Sequence, residues 1–557
     1  MNQAAAVKPA LPDSLSLVAL TVAGLLCLPL AYVTYMALTA DAAIWRRLWT
    51  TRIPELLFNT TALALGVAAG TLLLGVSLAW LMARRDFPGR PLWEWALVLP
   101  LAIPSYVLAY IYSHLLGTGG PIESAWQVLA GPDSHLPSPH GYAGAALVMT
   151  LNTFPFVYLL ARAAFLNLNV SYEEVARACG VSRAGTLFRV TLPLMRPAIV
   201  AGLSLVVLYV VSDFGAVSLL RYQTLTYAVY QQITGRYDPT AASILSLLLV
   251  IVALIFLITE RWFRQQSRFF QTTGRYRARA RRQCSPLSTL FASVYTIGVF
   301  AASFGVPALL LVQWSVSAVS SGAVDARFFG FVWNSAFLSG LAATCAVLIG
   351  LPLAYLASRR PSRLNLLCLQ AAYAGYVLPG PVGALALLVI FSHLAPFWYG
   401  TAAVLVIAYV VHFLPAGLQS MEPALQQVTP NLEEASRSLG FGTAATLRRV
   451  TLPLVRSGFI AAWVLMFLQS MKELPATLLL RPVGFDTLAV RVWLEASEEY
   501  YQLAAPSALL IVIMTIPAIL LAVALAGVMD GRILHPHPAD WTRHWLDVEL
   551  KRGMVSL

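Results

Sequence analysis

A chain of 557 residues with 59% hydrophobic and only 11% charged residues departs far from the roughly 45–50% and 25% of a soluble domain. Such a chain cannot hide its apolar surface from water, which excludes an ordinary soluble enzyme or binding module. The net charge of +12 does not imply nucleic acid, because a large share of it falls in short loops between apolar runs, where it orients helices and meets anionic lipid headgroups.

Apolar runs long enough to cross a bilayer, about 20 residues each, recur from end to end. They predict helices over 14–38, 59–83, 92–116, 142–166, 197–220 and 241–260. A second set follows over 287–312, 334–357, 365–391, 400–418, 457–480 and 504–528. The first run follows Lys8 but exceeds the 7–15-residue apolar core of a secretory signal, so it is read as a retained helix. The expected fold class is an all-α integral membrane protein of about twelve transmembrane helices.

Arginine placement sets the orientation. The segment after the sixth run carries Arg261, Arg264, Arg268, Arg275, Arg277, Arg279, Arg281 and Arg282, which puts it in the cytoplasm and, by counting spans, both termini as well. Arg84, Arg85 and Arg90 agree, as do Arg359, Arg360 and Arg363, whereas 117–141 and 392–399 contain no Lys or Arg. The loop 39–58, with Arg46, Arg47 and Arg52, dissents. The five cysteines have no paired spacing of the kind zinc sites or disulfide frameworks use and are read as packing residues.

The chain is written twice. Residues 173–199 align without gaps on 433–459, pairing Glu173-Glu174 with Glu433-Glu434, Arg177 with Arg437 and Gly180 with Gly440. The run Arg189-Val190-Thr191-Leu192-Pro193-Leu194 returns as Arg449-Val450-Thr451-Leu452-Pro453-Leu454. Asn59, Arg84 and Arg85 correspond to Asn334, Arg359 and Arg360, and Val98-Leu99-Pro100 to Val377-Leu378-Pro379. With an even number of spans in each half, the two six-helix repeats are parallel, related by an axis along the membrane normal. The expected modules are 1–260 and 287–530, joined by a basic cytoplasmic linker 261–286 and followed by a cytoplasmic tail 531–557.

The strongest repeat lies in a predicted cytoplasmic loop, where bilayer packing exerts no selection. It reads as a short helix opened by a capping box of Ser171 with Glu174, and of Asn431 with Glu434. Val175, Ala178 and Cys179 share one face by their spacing, as do Ala435, Ser438 and Leu439. Gly180 and Gly440 stand where a left-handed helix stop needs a residue without a β-carbon, and Pro193 and Pro453 mark the start of the following helix. A duplicated cytoplasmic helix suits a duplicated partner. The three lysines, Lys8, Lys472 and Lys551, stand outside any G-x-x-x-x-G-K-[ST] nucleotide loop, so the chain is not read as an enzyme, and energy from ATP must come from a separate subunit.

These loops resemble the EAA motif of binding-protein-dependent ABC importer permeases: E-A-A, three residues, Gly, nine residues, then an aliphatic, one residue and Leu-Pro. The first copy, within about 171–196, reads Glu174-Val175-Ala176, Gly180, Val190-Thr191-Leu192-Pro193. The second, within about 431–456, reads Glu434-Ala435-Ser436, Gly440, Val450-Thr451-Leu452-Pro453. Val175 and Ser436 depart from the pattern. The resemblance implies that each loop docks into one of two copies of an ATP-binding subunit, that an extracytoplasmic binding protein delivers the substrate, and that the chain lies in a bacterial inner membrane. Ser212-Asp213-Phe214-Gly215-Ala216 and Lys472-Glu473-Leu474-Pro475-Ala476, in two fused modules, resemble ferric iron importer permeases; the thiamine importer permease is also a fused double module.

Charged groups inside spans are functional candidates. Asp213 and Glu473 hold equivalent places, about 24 Å along the helix from its cytoplasmic start, and are expected to form a paired acidic ring at the external mouth. Otherwise they cap helix ends beside Gly215 and Pro475, or pair with Lys472. His135 and His140 are read as ordinary residues of an external loop. No resident metal and no cofactor is expected. Two other classes of function stay open: an ion-coupled secondary transporter with two six-helix halves, and a membrane-embedded structural or receptor protein. Neither gives a reason for paired EAA loops.

Overall fold

The computed structural model describes residues 14–265, 282–283, 285–360, 362–376 and 379–529. Most of the expected linker and all of the expected tail therefore lie outside the described residues. Ten helices within them are long and apolar enough to cross a membrane, from Ser16–Leu38 to Tyr501–Leu521. Two segments, Arg90–Ala102 and Ser105–Ala130, bent by 93°, make an eleventh when the pair is counted as one span. Arg363–Ala372 and Gly380–Leu394 hold the corresponding place in the second half, so the expectation of about twelve helices stands. The third and ninth spans differ from the uninterrupted runs expected at 92–116 and 365–391. Pro100 and Pro104 break the first and Pro379 the second, since proline supplies no N–H and clashes with the preceding turn.

In each half the same three helices pack together. Ile53–Arg84, Tyr142–Asn167 and Leu192–Ser212 form the trio in the first module, and Arg327–Arg359, Ala402–Gln427 and Leu452–Met471 form it in the second. Lipid tails are as apolar as leucine, so association inside the bilayer depends on close approach over small residues. A β-carbon on Gly75 would fall 2.7 Å from Val157 Cβ, and one on its counterpart Gly350 would fall 2.5 Å from Met421 Cε.

The first helix of each module is exchanged. Ser14–Leu38 packs on Arg327–Arg359, Arg363–Ala372 and Gly380–Leu394 of the second module as well as on Pro239–Gln265, and Ala19, Ala23 and Leu26 are buried among second-module side chains. The seventh span mirrors this: Tyr112 Oη donates to the carbonyl of Ala302 at 2.7 Å, and Tyr295 Oη lies 2.6 Å from Ser77 Oγ. A two-residue parallel bridge pairs Arg85 with Arg282 and Asp86 with Gln283, tying the end of the second span to the start of the seventh.

Both repeated loops, Arg84 and Arg282 lie at one end of the bundle. The loops of the opposite end meet through the N–H of Gly141, which donates to the carbonyl of Leu220 at 2.7 Å, and through Arg47–Asp238 at 3.5 Å. The dissenting basic loop is a short helix at that opposite end, Ala42–Thr51, started by Asp41, whose Oδ1 accepts from Ala43 N at 2.8 Å. The duplicated asparagines clamp this end in both halves. Asn59 Nδ2 donates to the carbonyl of Gln223 at 3.0 Å and Asn334 Nδ2 to that of Asp486 at 3.1 Å. The hydroxyls of Thr60 and Ser335 accept from the N–H groups of Leu225 and Leu488 at 2.9 and 2.8 Å.

Candidate functional site: two anchored loops and four broken helices

The repeated loop folds as the helices Val170–Ala178 and Pro430–Ser438. Their starts differ from the expected capping boxes. Asn169 is the cap, its Oδ1 accepting from Ser171 N at 3.1 Å and from Ser171 Oγ at 3.0 Å. The second helix begins instead at Pro430, whose fixed φ and missing N–H suit a first turn. Both stop as expected of a left-handed cap: Gly180 has φ +81° and Gly440 φ +86°. The N–H of Gly180 bonds to the carbonyl of Arg177 and that of Val181 to Ala176, a pattern that Gly440 and Phe441 repeat on Arg437 and Ser436.

One turn inside each helix a glutamate points inward. Glu173 Oε1 takes Arg84 Nη2 at 2.8 Å and Thr191 Oγ1 at 3.2 Å. Glu433 Oε1 takes Arg359 Nε at 2.8 Å and Thr451 Oγ1 at 3.0 Å, while its Oε2 accepts from Tyr355 Oη at 3.1 Å. Each module thus pins the short helix to the end of its second span and to the base of its fifth. Thr191 and Thr451 close the π-helical turns Leu187–Thr191 and Leu447–Thr451. The wider turn inserts one residue, which re-aims a side chain relative to a regular helix. Ser436, where the motif has alanine, is buried with its hydroxyl 2.9 Å from Thr446 Oγ1.

The other faces of these helices are uncovered. Glu174 and Glu434 are exposed, as are Val175, Ala178 and Cys179, and Ala435, Ser438 and Leu439. Cys179, expected as a packing residue, is therefore a surface residue. Val175 is 62% and Leu439 78% exposed, and Phe188 and Leu432 widen the apolar surface. Leu192-Pro193 and Leu452-Pro453 begin the fifth and eleventh spans.

Midway through the bundle four spans break. In the third, Asn152 Nδ2 holds the carbonyls of Ile103 and Pro100 at 2.8 and 3.3 Å. Asn152 lies ten residues into Tyr142–Asn167, about 15 Å from the outer end of that helix. The fifth span ends at Ser212, and Asp213 is spent on the break: Oδ2 accepts from Ser105 Oγ, and Oδ1 from Ala216 N at 2.9 Å. In the second module Glu473 Oε1 accepts from Ala476 N at 3.1 Å, His412 replaces Asn152 in the repeat, and a β-carbon on Gly380 would fall 3.1 Å from Glu473 Oε1.

The paired acidic ring expected at the external mouth is thus not what the geometry presents. Each carboxylate caps the second half of its own broken helix, because a break in the ladder leaves N–H groups that lipid cannot satisfy. Lys472 does not pair with Glu473; its Nζ donates to the carbonyl of Leu101 in the other module at 2.5 Å. Tyr106, packed against Gly215, Tyr409, whose Oη lies 2.6 Å from Thr477 Oγ1, and His412, in the place of Asn152, belong to these breaks, and the sequence reading missed them. The signal for His412 was its alignment with Asn152, beside the aligned Pro155 and Pro415.

A cap needs an acceptor and not a charge, so Asp213→Asn and Glu473→Gln are expected to leave thermal stability within about 0.5 kcal/mol, whereas alanine at either place costs about 1 kcal/mol. Transport by the amide variants separates the roles: retained uptake leaves the carboxylates as caps, and lost uptake with unchanged melting makes their charge part of the pathway.

His135 Nδ1 lies 3.0 Å from Glu123 Oε1, an ordinary contact of the external loop, and among the described residues no group of three His, Cys, Asp or Glu side chains is arranged to hold a metal ion.

Two like modules of membrane-spanning helices, each with a buried-glutamate loop at one end and capped helix breaks at its centre, define a double-module membrane permease. The chain belongs to the family of binding-protein-dependent transport system inner membrane components, which matches it twice, over residues 72–271 and 346–535. It is 32% identical over 504 residues to the Fe(3+)-transport system permease protein FbpB 2 of Haemophilus influenzae, covering 89% of this chain and 95% of that one. The ferric transport system permease protein FbpB of Actinobacillus pleuropneumoniae is 24% identical over 75% of this chain and 64% of its own. The molybdenum transport system permease protein ModB of Escherichia coli K12 is 30% identical over 200 residues, 35% of this chain and 86% of its own.

Proposed function

We propose that this chain is the transmembrane permease of an ATP-driven importer of ferric iron, working by alternating access in the bacterial inner membrane. The observation that carries the reading is the pair of anchored loops. Glu173 and Glu433 bury one side of each short helix against its own module, while the apolar opposite side is left for a partner. Two such helices suit two copies of an ATP-binding subunit at the cytoplasmic end, each closing motion being passed through Leu192-Pro193 and Leu452-Pro453 into the fifth and eleventh spans. With both loops cytoplasmic, the termini are cytoplasmic too, and an extracytoplasmic binding protein docks on the opposite end. A secondary transporter gives no role to these loops.

Ferric iron is favoured over thiamine or another small solute by the near full-length likeness to a relative that carries Fe(3+) in its name; the molybdenum permeases match about one module's length. The test is uptake into vesicles holding the chain with its cognate ATPase and binding protein, given radioactive iron, thiamine or molybdate. Iron uptake that needs both ATP and the binding protein is expected. Uptake of another solute replaces the substrate, and uptake without ATP overturns the mechanism.

A further inference from the structure

At the outer end, where the two modules meet, lies a cavity of about 330 Å³. Tyr110, Ser113, Ser218 and Arg221 of the first module face Trp493 and Glu499 of the second across it. Trp493 Nε1 donates to Ser218 Oγ at 3.2 Å, closing the floor across the module boundary. Over the floor, Arg221 and Glu499 form an exposed ion pair at 3.4 Å.

Three features point to a ligand. Tyr110 is 1% and Ser113 8% exposed, and neither hydroxyl has a hydrogen-bond partner among the described residues; buried polar groups are otherwise almost always paired. Arg221 and Glu499 both hold positive φ, +53° and +64°, a backbone state that non-glycine residues keep only where the surroundings impose it, yet their ion pair is exposed enough to exchange readily for another partner. Finally, the lining is duplicated only in part: Ser113 and Arg221 recur as Ser392 and Arg481, whereas Tyr110 and Ser218 correspond to Val389 and Leu478, so helix packing common to both modules does not require Tyr110 and Ser218.

The volume is far larger than a bare ion needs and falls at the lower end for small organic ligands. A guanidinium recognises a carboxylate through two parallel hydrogen bonds, and two orphan hydroxyls supply donors to further oxygens. Ferric ion itself prefers hard oxygen ligands, which polycarboxylates provide.

We propose that this outer cavity binds a small polycarboxylate chelate of the cargo metal, one carboxylate taking Arg221 from Glu499 and other oxygens accepting from Tyr110 and Ser113. The identity of the metal rests on the ferric reading above; the cavity's preference for a carboxylate-rich ligand does not.

The test is isothermal titration calorimetry of the full chain in lipid nanodiscs with ferric citrate, compared with the Tyr110→Phe/Ser113→Ala variant. Because neither hydroxyl has a hydrogen-bond partner among the described residues, the variant is expected to melt at the parent's temperature. Saturable binding by the parent, weakened about tenfold or more in the variant, is the expected result. Equal affinity in both proteins, or no saturable binding of ferric citrate by the parent, overturns the assignment. Neither outcome touches the ferric importer reading, which is judged separately by ATP-dependent uptake of iron supplied on the binding protein.

Discussion

Replacing Glu173 and Glu433 together with alanine is expected to abolish ATP-driven uptake and to lower the thermal stability of the chain substantially. Each carboxylate meets an arginine side chain that is only 8% exposed, so alanine takes the facing carboxylate away from a buried guanidinium. Removing one partner of a buried pair costs about 3–5 kcal/mol. Thr191, Thr451 and Tyr355 lose their acceptor as well, which unties the short helix from the fifth or eleventh span.

The companion variant separates fold from coupling. Arg84→Met with Glu173→Met, and the same exchange at Arg359 and Glu433, removes both charges at once, a change that is often neutral or stabilising in a packed interior. Thermal unfolding of the fourfold methionine variant is expected to recover towards that of the parent, because methionine fills the space without an unpaired charge. Uptake is expected to stay low, because the helix is no longer held by directional bonds. Full uptake in the alanine variant would remove the anchor from the mechanism.

Valine at both Gly180 and Gly440 is expected to eliminate coupled transport while the chain still inserts and folds. Beyond the two chain neighbours, no atom of the described residues lies within 4 Å of a β-carbon built on either glycine, so steric crowding is not the obstacle. The obstacle is φ of +81° and +86°, which costs an ordinary L-residue about 1–2 kcal/mol and is worse for a β-branched one. Relief comes by unwinding the last turn, and that turn holds the exposed Cys179 and Leu439 in position.

Asparagine tolerates the left-handed region, so Gly180→Asn with Gly440→Asn is expected to keep most of the activity. ATP hydrolysis stimulated by loaded binding protein is the readout. Equal loss in the valine and asparagine variants would mean that the partner reads the absence of a side chain and not the shape of the backbone.

Several features of this architecture are local and were therefore legible in the residues. Apolar runs of bilayer length announce spans, because a backbone in lipid must bond internally. The duplicated glutamate, glycine and Leu-Pro positions announce a repeated surface helix, because a left-handed stop and a proline start are properties of a few consecutive residues. The same reasoning went astray at Ser171 and Asn431, where two neighbouring polar residues compete to start a helix and the choice depends on how the preceding span delivers the chain.

Arg84 and Arg359 were visible only as basic residues that orient a loop; their glutamates stand 89 and 74 residues further on, and nothing local links them. Tertiary structure alone decided that link, the exchange of the first and seventh helices between modules, and the use of Asp213 and Glu473 as caps on broken helices. The reason is that periodicity and hydropathy report what each segment must bury, whereas the partner that buries it is chosen by the packing of all the spans together. In the apolar interior of a membrane that choice turns on close fits such as Gly75 against Val157 and on which unpaired N–H groups a carboxylate is near enough to satisfy.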